Sequence, residues 1–119
     1  MGLDMFLTGK RKYRIARRDH KKIEEYEIGY WHNHWSLCHY IIKNFFSNNE
    51  DQYGGELMAV ELKQILEGVK NDLIVREGTY HGSIENDKYD DIEILTKAIN
   101  WLETEDLEAE RQIFFEYSY

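Results

Sequence analysis

The chain has 119 residues and a net charge of −8, with 42% apolar residues, 14% aromatic residues, no proline and one cysteine. This length predicts a single domain over residues 1–119. The composition excludes a disordered or low-complexity chain, and the single cysteine excludes an internal disulfide and fits a reducing compartment. No apolar run approaches the roughly 20 residues of a membrane span, and the N-terminus lacks the features of a signal peptide. We therefore expect a soluble cytoplasmic protein that does not contact membranes.

The charge is unevenly distributed along the chain. Residues 1–22 contain eight bases and two acids, whereas residues 23–119 contain seven bases and 21 acids. The sequence therefore predicts an acidic body with one basic projection at about residues 10–22.

The first elements in the chain are predicted to be two strands. Met5 to Thr8 is a short strand candidate, and residues 23–30 (IEEYEIGY) alternate weakly in the manner of a returning strand. Together they predict a hairpin whose long connection, Lys10 to Lys22, carries the basic charge.

Three helices and a last strand are predicted to follow. Apolar residues at helical spacing predict helices from Trp31 or His32 to about Phe46, around Leu62–Leu73, and from about Asp87 to Leu102. The composition of 47–55 predicts a loop, and 78–82 predicts a glycine-bracketed turn. The aromatic, alternating end from Ile113 predicts a strand. This order favours an α+β fold in which a small antiparallel sheet has its helices packed on one face.

The segment from 29 to 40 (GYWHNHWSLCHY) raises the question of a metal site. On a helix, His34 and Cys38 lie one turn apart on the apolar side, and His32 and His39 lie on the opposite side. One helix therefore cannot gather all four around a tetrahedral zinc ion. Cys38 is predicted to belong to the core with His34 at its edge. A third ligand would have to be His20, His81 or a carboxylate, so we predict no metal and no cofactor.

Two charged segments are candidate binding regions. The basic segment supplies candidates for binding phosphates, with an aromatic ring that could stack on a base: Lys10, Arg11, Lys12, Tyr13, Arg14, Arg17 and Arg18. The acidic segment could contact a protein partner or imitate a nucleic-acid backbone: Glu103, Glu105, Asp106, Glu108 and Glu110. The alternative for both segments is an ordinary solvated surface.

The third predicted helix carries two apolar stripes. Ile92, Leu95, Ile99 and Leu102 form one stripe, and Ile94, Ala98 and Trp101 form the other. One stripe is enough to seat a helix on a core. The second must be covered by another element or by a partner, so Ile94 and Trp101 are candidate partner-binding residues.

Several short motifs of this chain resemble a known family. MGLDMFL, IGYW, GGE, GTYHGS, IEILTKAI and FFEYSY occur in this order, and the chain thereby resembles small uncharacterised bacteriophage and prophage proteins that begin MGLDMYL and end in an aromatic strand. Where this chain has YWHNHWSLC and TYHG, those proteins tend to have YWRKAN and FFFG. The histidine cluster is thus particular to this chain, and the resemblance implies an origin rather than a chemistry.

We found no catalytic motif, and we expect a non-enzymatic protein that binds a host or anti-phage defence protein in the bacterial cytoplasm. Nucleic-acid or nucleotide binding through residues 10–22 is the first alternative, and nucleic-acid mimicry through residues 103–110 is the second. A third, a metal-dependent enzyme built around His34 and Cys38, has the least support. Self-association into a homo-oligomer is compatible with each of these functions.

The absence of a third ligand near His34 and Cys38 gives a prediction about metal content. Protein purified without chelators should contain well below one zinc ion per chain when measured by elemental analysis. About one zinc per chain, lost in a Cys38→Ala variant, would contradict the prediction.

Overall fold

The described residues form an α+β fold with four strands and three helices. A computed structural model describes residues 2–15, 22–46, 54–74 and 84–119. In chain order the elements are β1 (Asp4–Tyr13), β2 (Ile23–His32), α1 (Trp35–Phe45), β3 (Gly54–Leu57), α2 (Ala59–Lys70), α3 (Ile84–Glu103) and β4 (Ala109–Ser118). The predicted fold class is confirmed.

The four strands form one antiparallel sheet in the order β2-β1-β4-β3. β1 and β4 are its central pair and run together from Asp4↔Ser118 to Tyr13↔Ala109. β4 therefore lies beside β1, although the two strands are far apart in the sequence. For this reason no local sequence pattern predicts the pairing at the centre of the sheet. Both edge strands, β2 and β3, come from the middle of the chain.

Alternation along each strand divides the sheet into an inner face and an outer face. Leu3, which precedes β1, and Met5 and Leu7 of β1 are fully buried, and Phe6 lies on the opposite side of the strand. We call the side that carries the buried residues the inner face and the side that carries Phe6 the outer face. Ile113 and Phe115 of β4 extend the buried inner row.

The helices cover the inner face, and the core lies between the two layers. α2 packs against α3, and α3 contacts β1, β2 and β4. The buried apolar side chains of the helices include Leu37, Cys38, Ile41, Leu62, Ile65, Leu66, Val69, Leu95, Ala98 and Ile99. Burying apolar surface of this kind is the main favourable contribution to folding. No helix in the described part of the chain is long and apolar enough to cross a membrane.

The first helix starts later than its periodicity predicts. Trp31 and His32 belong to β2, and the strand is followed by Asn33 in the left-handed region with φ of 57°. Asparagine tolerates this conformation better than most residues. The Asn33 backbone N–H donates to Leu3 O at 2.7 Å, and Leu3 N–H donates to the Asn33 side-chain oxygen at 2.8 Å. This paired contact ends β2 and places α1 beyond it.

The predicted loop over 47–55 conceals part of a strand, because Gly54 and Gly55 are the first residues of β3. A Cβ atom at Gly54 would collide with the backbone carbonyl of Phe115, and Gly54 has a φ of 129°. A Cβ at Gly55 would lie 2.7 Å from the ring of Phe46. Glycine inside a strand marks a close approach of this kind. The remainder of the predicted loop, 47–53, lies outside the described residues.

The other boundaries shift by a few residues. β1 continues to Tyr13, so the first four residues of the predicted basic connection, 10–13, are strand. α2 ends at Lys70, which leaves Leu73 outside the helix and 61% exposed. α3 begins at Ile84 and β4 at Ala109, each earlier than predicted. The glycine-bracketed turn at 78–82 lies outside the described residues.

The layered core gives a prediction about stability. Leu66 and Ile99 are buried in the core cluster, on α2 and α3 respectively, so Leu66→Ala or Ile99→Ala should lower the free energy of unfolding by about 2–5 kcal/mol. His39→Ala, at an exposed position of α1, should change it by no more than about 0.5 kcal/mol. Urea denaturation of the three variants measures this. A larger loss for His39→Ala than for both core variants would contradict the layered core.

Candidate functional site

A carboxylate lies fully buried between the helices and the sheet. Asp91 of α3 has 0% exposure. Trp31 Nε1–H donates to Asp91 Oδ1 at 2.8 Å, and His34 Nε2 lies 2.9 Å from Asp91 Oδ2. A buried carboxylate is tolerated when hydrogen bonds replace its lost hydration. The contact therefore ties α3 to the end of β2 and to the residue that precedes α1.

The two candidate metal ligands, His34 and Cys38, lie one helical turn apart but have different surroundings. His34 precedes α1, and its ring is directed to Asp91 with 11% of the side chain exposed. Cys38 is 1% exposed, and burial raises the pKa of its thiol to about 12. A thiol with so high a pKa is neither a ready metal ligand nor a ready nucleophile. His34 and Cys38 therefore contribute to the core and its edge.

The remaining histidines give no ligand set in the described part of the chain. His32 and His39 are exposed, and His32 Nδ1 lies 3.1 Å from Asp4 Oδ1. No group of three or more histidine, cysteine, aspartate or glutamate side chains within the described ranges is arranged to hold a metal ion. His20 and His81 lie outside those ranges.

The acidic segment does not form one surface. Asp106 has a side chain only 8% exposed and accepts hydrogen bonds from Nε of both Arg11 and Arg111, each at 2.8 Å. Glu103 ends α3 and pairs with Lys63 at 2.8 Å. The remaining acids are exposed but lie on different elements: Glu105 and Glu108 in the turn after α3, and Glu110 on β4.

Two arginines and two backbone N–H groups stabilise the ionised form of the Asp106 carboxyl group. Both guanidinium groups, together with the backbone N–H groups of Glu108 and Ala109, lower the pKa of the Asp106 carboxyl well below its usual range. Hydrogen bonds to the charged form of a carboxyl group always act in this direction. Asp106 thus holds the turn between α3 and β4, and the prediction that it contacts a partner lacks support.

The basic segment is likewise divided, because alternation along β1 directs its side chains to opposite faces. Arg11 and Tyr13 lie on the inner side, where the Arg11 guanidinium and the Tyr13 hydroxyl both donate to the Glu24 carboxylate. Lys10 lies on the outer face, 3.6 Å from Glu25 and 4.4 Å from the centre of the Phe114 ring. These three side chains already have partners within the chain, which weakens their candidacy for phosphate binding.

The other basic candidates are exposed or lie elsewhere. Lys12 and Arg14 are exposed. Arg17 and Arg18 lie outside the described residues. The described portion of this segment, residues 10–15 and 22, is the end of β1 and the residues that flank β1 and β2, and it does not form one continuous basic surface.

The second apolar stripe of α3 is covered by the sheet, not left for a partner. Ile94 packs so closely on Gly29 that a Cβ atom there would collide with its side chain. The Trp101 ring lies over Gly9, where a Cβ would be 3.0 Å away, and the Arg111 guanidinium stacks on it at 4.9 Å. Both side chains are half-buried. The prediction that they form a partner-binding surface is therefore not supported, because glycines in β1 and β2 make room for them inside the chain.

The outer face of the sheet is a candidate surface that the sequence reasoning missed. Three aromatic rings lie on it, with Phe6 opposite Tyr30 at a centroid distance of 5.2 Å and Phe114 on the neighbouring strand. Tyr30 is 44% exposed, and its hydroxyl donates to Asp4 at 2.5 Å. The alternation of apolar and polar residues in β1 and β4 could have revealed this face once both were known to be central strands.

The outer face is predominantly acidic. In the strand registers its acidic and basic side chains other than His32 and Tyr30 are six carboxylates and two lysines: Asp4, Glu25, Glu27, Glu56, Glu110, Glu116, Lys10 and Lys12. Every helix that the structure describes packs on the other side of the sheet. The described residues thus present a broad surface with aromatic groups at its centre and negative charge around them.

No family model, no curated protein and no solved structure matches this chain. Its candidate site is therefore defined by the contacts and charges of its own residues.

The environment of Asp106 predicts how stability depends on pH. Because its pKa is lower in the folded protein than in the unfolded chain, the ionised form stabilises the fold. That contribution is complete above the ordinary aspartate pKa of about 3.9 and is lost as the pH falls below it. Asp106→Asn should lower the melting temperature at pH 7. Between about pH 5 and pH 2, the melting temperature of this variant should fall by less than that of the wild type.

Thermal melts across this pH range provide the measurement. Glu105→Gln, a matched change at an exposed neighbouring position, should leave the profile of the wild type unchanged. An Asp106→Asn profile parallel to that of the wild type would show that the arginine contacts do not set the pKa of this carboxyl.

Proposed function

We propose that this protein is a non-enzymatic protein-binding module and that its binding surface is the outer face of the sheet. The observation that carries the proposal is the one-sided packing of the fold. The helices that the structure describes lie on the inner face, and the outer face presents Phe6, Tyr30 and Phe114 among predominantly acidic side chains. Aromatic groups at the centre of a surface with charged groups at its rim are typical of protein interfaces.

The charge of this surface favours a basic protein as the partner. The outer face carries six carboxylates and only two lysines, and one of these lysines, Lys10, is already paired with Glu25. Complementary charge accelerates association and excludes partners of the same sign. A nucleic acid is a polyanion, and its binding needs a surplus of basic groups. The surface therefore supports the protein-binding function better than the nucleic-acid alternative.

The buried ionisable groups support a binding role rather than catalysis. Asp91 lies in hydrogen bonds to Trp31 and His34, and Asp106 lies between two arginines. These contacts connect elements of the fold. The Cys38 thiol is buried in the core with a raised pKa. We therefore assign these residues to the architecture.

The resemblance to phage and prophage proteins makes a bacterial host or defence protein the first class of partner to test. We propose further that this partner has a lysine- or arginine-rich region, because the outer face is predominantly acidic.

A capture experiment with charge-reversed variants tests the proposed function. Glu110→Lys with Glu116→Lys alters the outer face on β4, and Glu67→Lys with Glu93→Lys makes the same charge change on exposed helical positions. Proteins captured from a host lysate by the wild type are identified by mass spectrometry and purified. Their affinity for all three forms is then measured by calorimetry, after circular dichroism has shown that the variants are folded.

We expect a basic partner that binds the wild type and the helical variant equally. It should bind the outer-face variant at least about tenfold more weakly, since reversing charges at an interface costs favourable pairs and adds repulsion. Equal binding to all three forms, or loss in the helical variant alone, would contradict the proposed surface. So would the absence of any captured protein that binds again after purification.

A further inference from the structure

The two edges of the sheet differ in length and in their suitability for pairing with another strand. β3 has four residues, and β2 has ten, from Ile23 to His32. In the described part of the chain, β2 pairs with β1 on one side and with no strand on the other. The unpaired N–H and C=O groups of an edge strand are a template for a further strand. β2 therefore offers a long pairing edge, whereas β3 offers a short one.

β2 has few of the features by which proteins protect such an edge. It contains no proline, lysine or arginine. Its one irregularity is a bulge opposite Leu7 and Thr8 of β1, and the register from Ile23 to Glu27 is regular. Bulges, prolines and charged side chains, lysine above all, are the usual devices against unwanted pairing. The regular half of β2 has neither a bulge nor a proline, and its charged side chains are Glu24, Glu25 and Glu27, which repel an acidic strand but not a basic one.

The charges along β2 indicate which kind of strand this edge fits. Glu25 and Glu27 lie on the outer face and are exposed. Glu24 is on the inner side, where Arg11 and Tyr13 bind it. Side chains directly opposite each other on paired strands lie about 4.5–5.5 Å apart between Cβ atoms, and opposite charges there are favourable. A strand with lysine or arginine at alternate positions would match Glu25 and Glu27.

Two tyrosines add apolar contact area beside these glutamates. Tyr26 is 40% exposed on the inner side, and Tyr30 is 44% exposed on the outer face. Long basic side chains pack their methylene groups on aromatic rings and place their charge over the ring. The exposed positions of β2 therefore combine charge and aromatic surface on both sides of the edge.

We propose that the open edge of β2 binds an extended basic segment of the partner by strand addition. This inference rests on the proposed function and specifies how the partner is held: backbone hydrogen bonds supply affinity, and alternate lysine or arginine side chains supply specificity. A second copy of β2 fits less well, because antiparallel pairing centred on Glu25 places the two Glu25 side chains opposite each other.

The test uses a fluorescently labelled nine-residue peptide that alternates lysine with threonine. Two matched peptides keep the same charge but are methylated on backbone amide nitrogens. The first is methylated at every lysine and the second at every threonine. Because alternate residues of a strand direct their N–H groups to opposite edges, each of these peptides is blocked along one edge. A fourth peptide replaces each lysine by glutamate. Binding is measured by fluorescence anisotropy at low salt, with sedimentation reporting the oligomeric state of the protein.

We expect the lysine peptide to bind and the glutamate peptide not to bind. At least one N-methylated peptide should bind about tenfold or more weakly, because several backbone hydrogen bonds are lost at once. Glu25→Lys with Glu27→Lys should abolish binding of the lysine peptide. The control Glu67→Lys with Glu93→Lys should retain it.

Three results would overturn the inference. Equal binding of both methylated peptides and the parent peptide would show attraction without strand pairing. No binding of the lysine peptide to a monomeric protein would show that the edge does not accept a basic strand. A stable dimer that the lysine peptide does not dissociate would assign the edge to a second copy. In each case the outer-face variants of β4 still decide the proposed function separately.

Discussion

The fold depends on how α3 is fixed to the sheet, and the buried Asp91 carboxylate fixes it. Its contacts with Trp31 and His34 join α3 to the point where β2 ends and α1 begins. Losing one partner of a buried charged group is costly, because the remaining group cannot recover its hydration. The orientation that this contact sets turns both apolar stripes of α3 inward, with Ile94 against Gly29 and Trp101 over Gly9.

One-sided packing then separates structural residues from residues that are free to bind. Along β1, alternate positions supply either the core or the outer face, so neighbours in sequence have different roles. Arg11 serves the inner network with Asp106, whereas Lys10 and Lys12 lie outside. The basic residues at positions 10–12, which are neighbours in the sequence, are therefore divided between two surfaces. The outer face is acidic and aromatic, and it is the surface to which we propose that a partner binds.

Much of the fold could be predicted from periodicity, but its central contacts could not. Apolar spacing located three helices and the first and last strands. It misassigned Trp31 to a helix, because the left-handed Asn33 ends a strand whose last residues also fit a helical pattern. The pairing of Asp91 with Trp31 and His34 spans 60 and 57 residues of sequence, and no local pattern reports a contact at that separation. The sequence left open whether the chain itself or a partner covers Ile94 and Trp101 for the same reason, since only the tertiary structure brings glycines beneath them.

Among the described residues, the helices cover the inner face of the sheet and none of them covers the outer face. NMR of the folded protein in the presence of a soluble paramagnetic agent measures this directly, because relaxation of each side chain increases with its access to solvent. We expect strong enhancement for the ring of Tyr30, which is 44% exposed, and measurable enhancement for the partly buried rings of Phe6 and Phe114. Met5 and Phe115, which are 0% exposed, should be protected. Protection of the three outer rings equal to that of Met5 and Phe115 would contradict this arrangement.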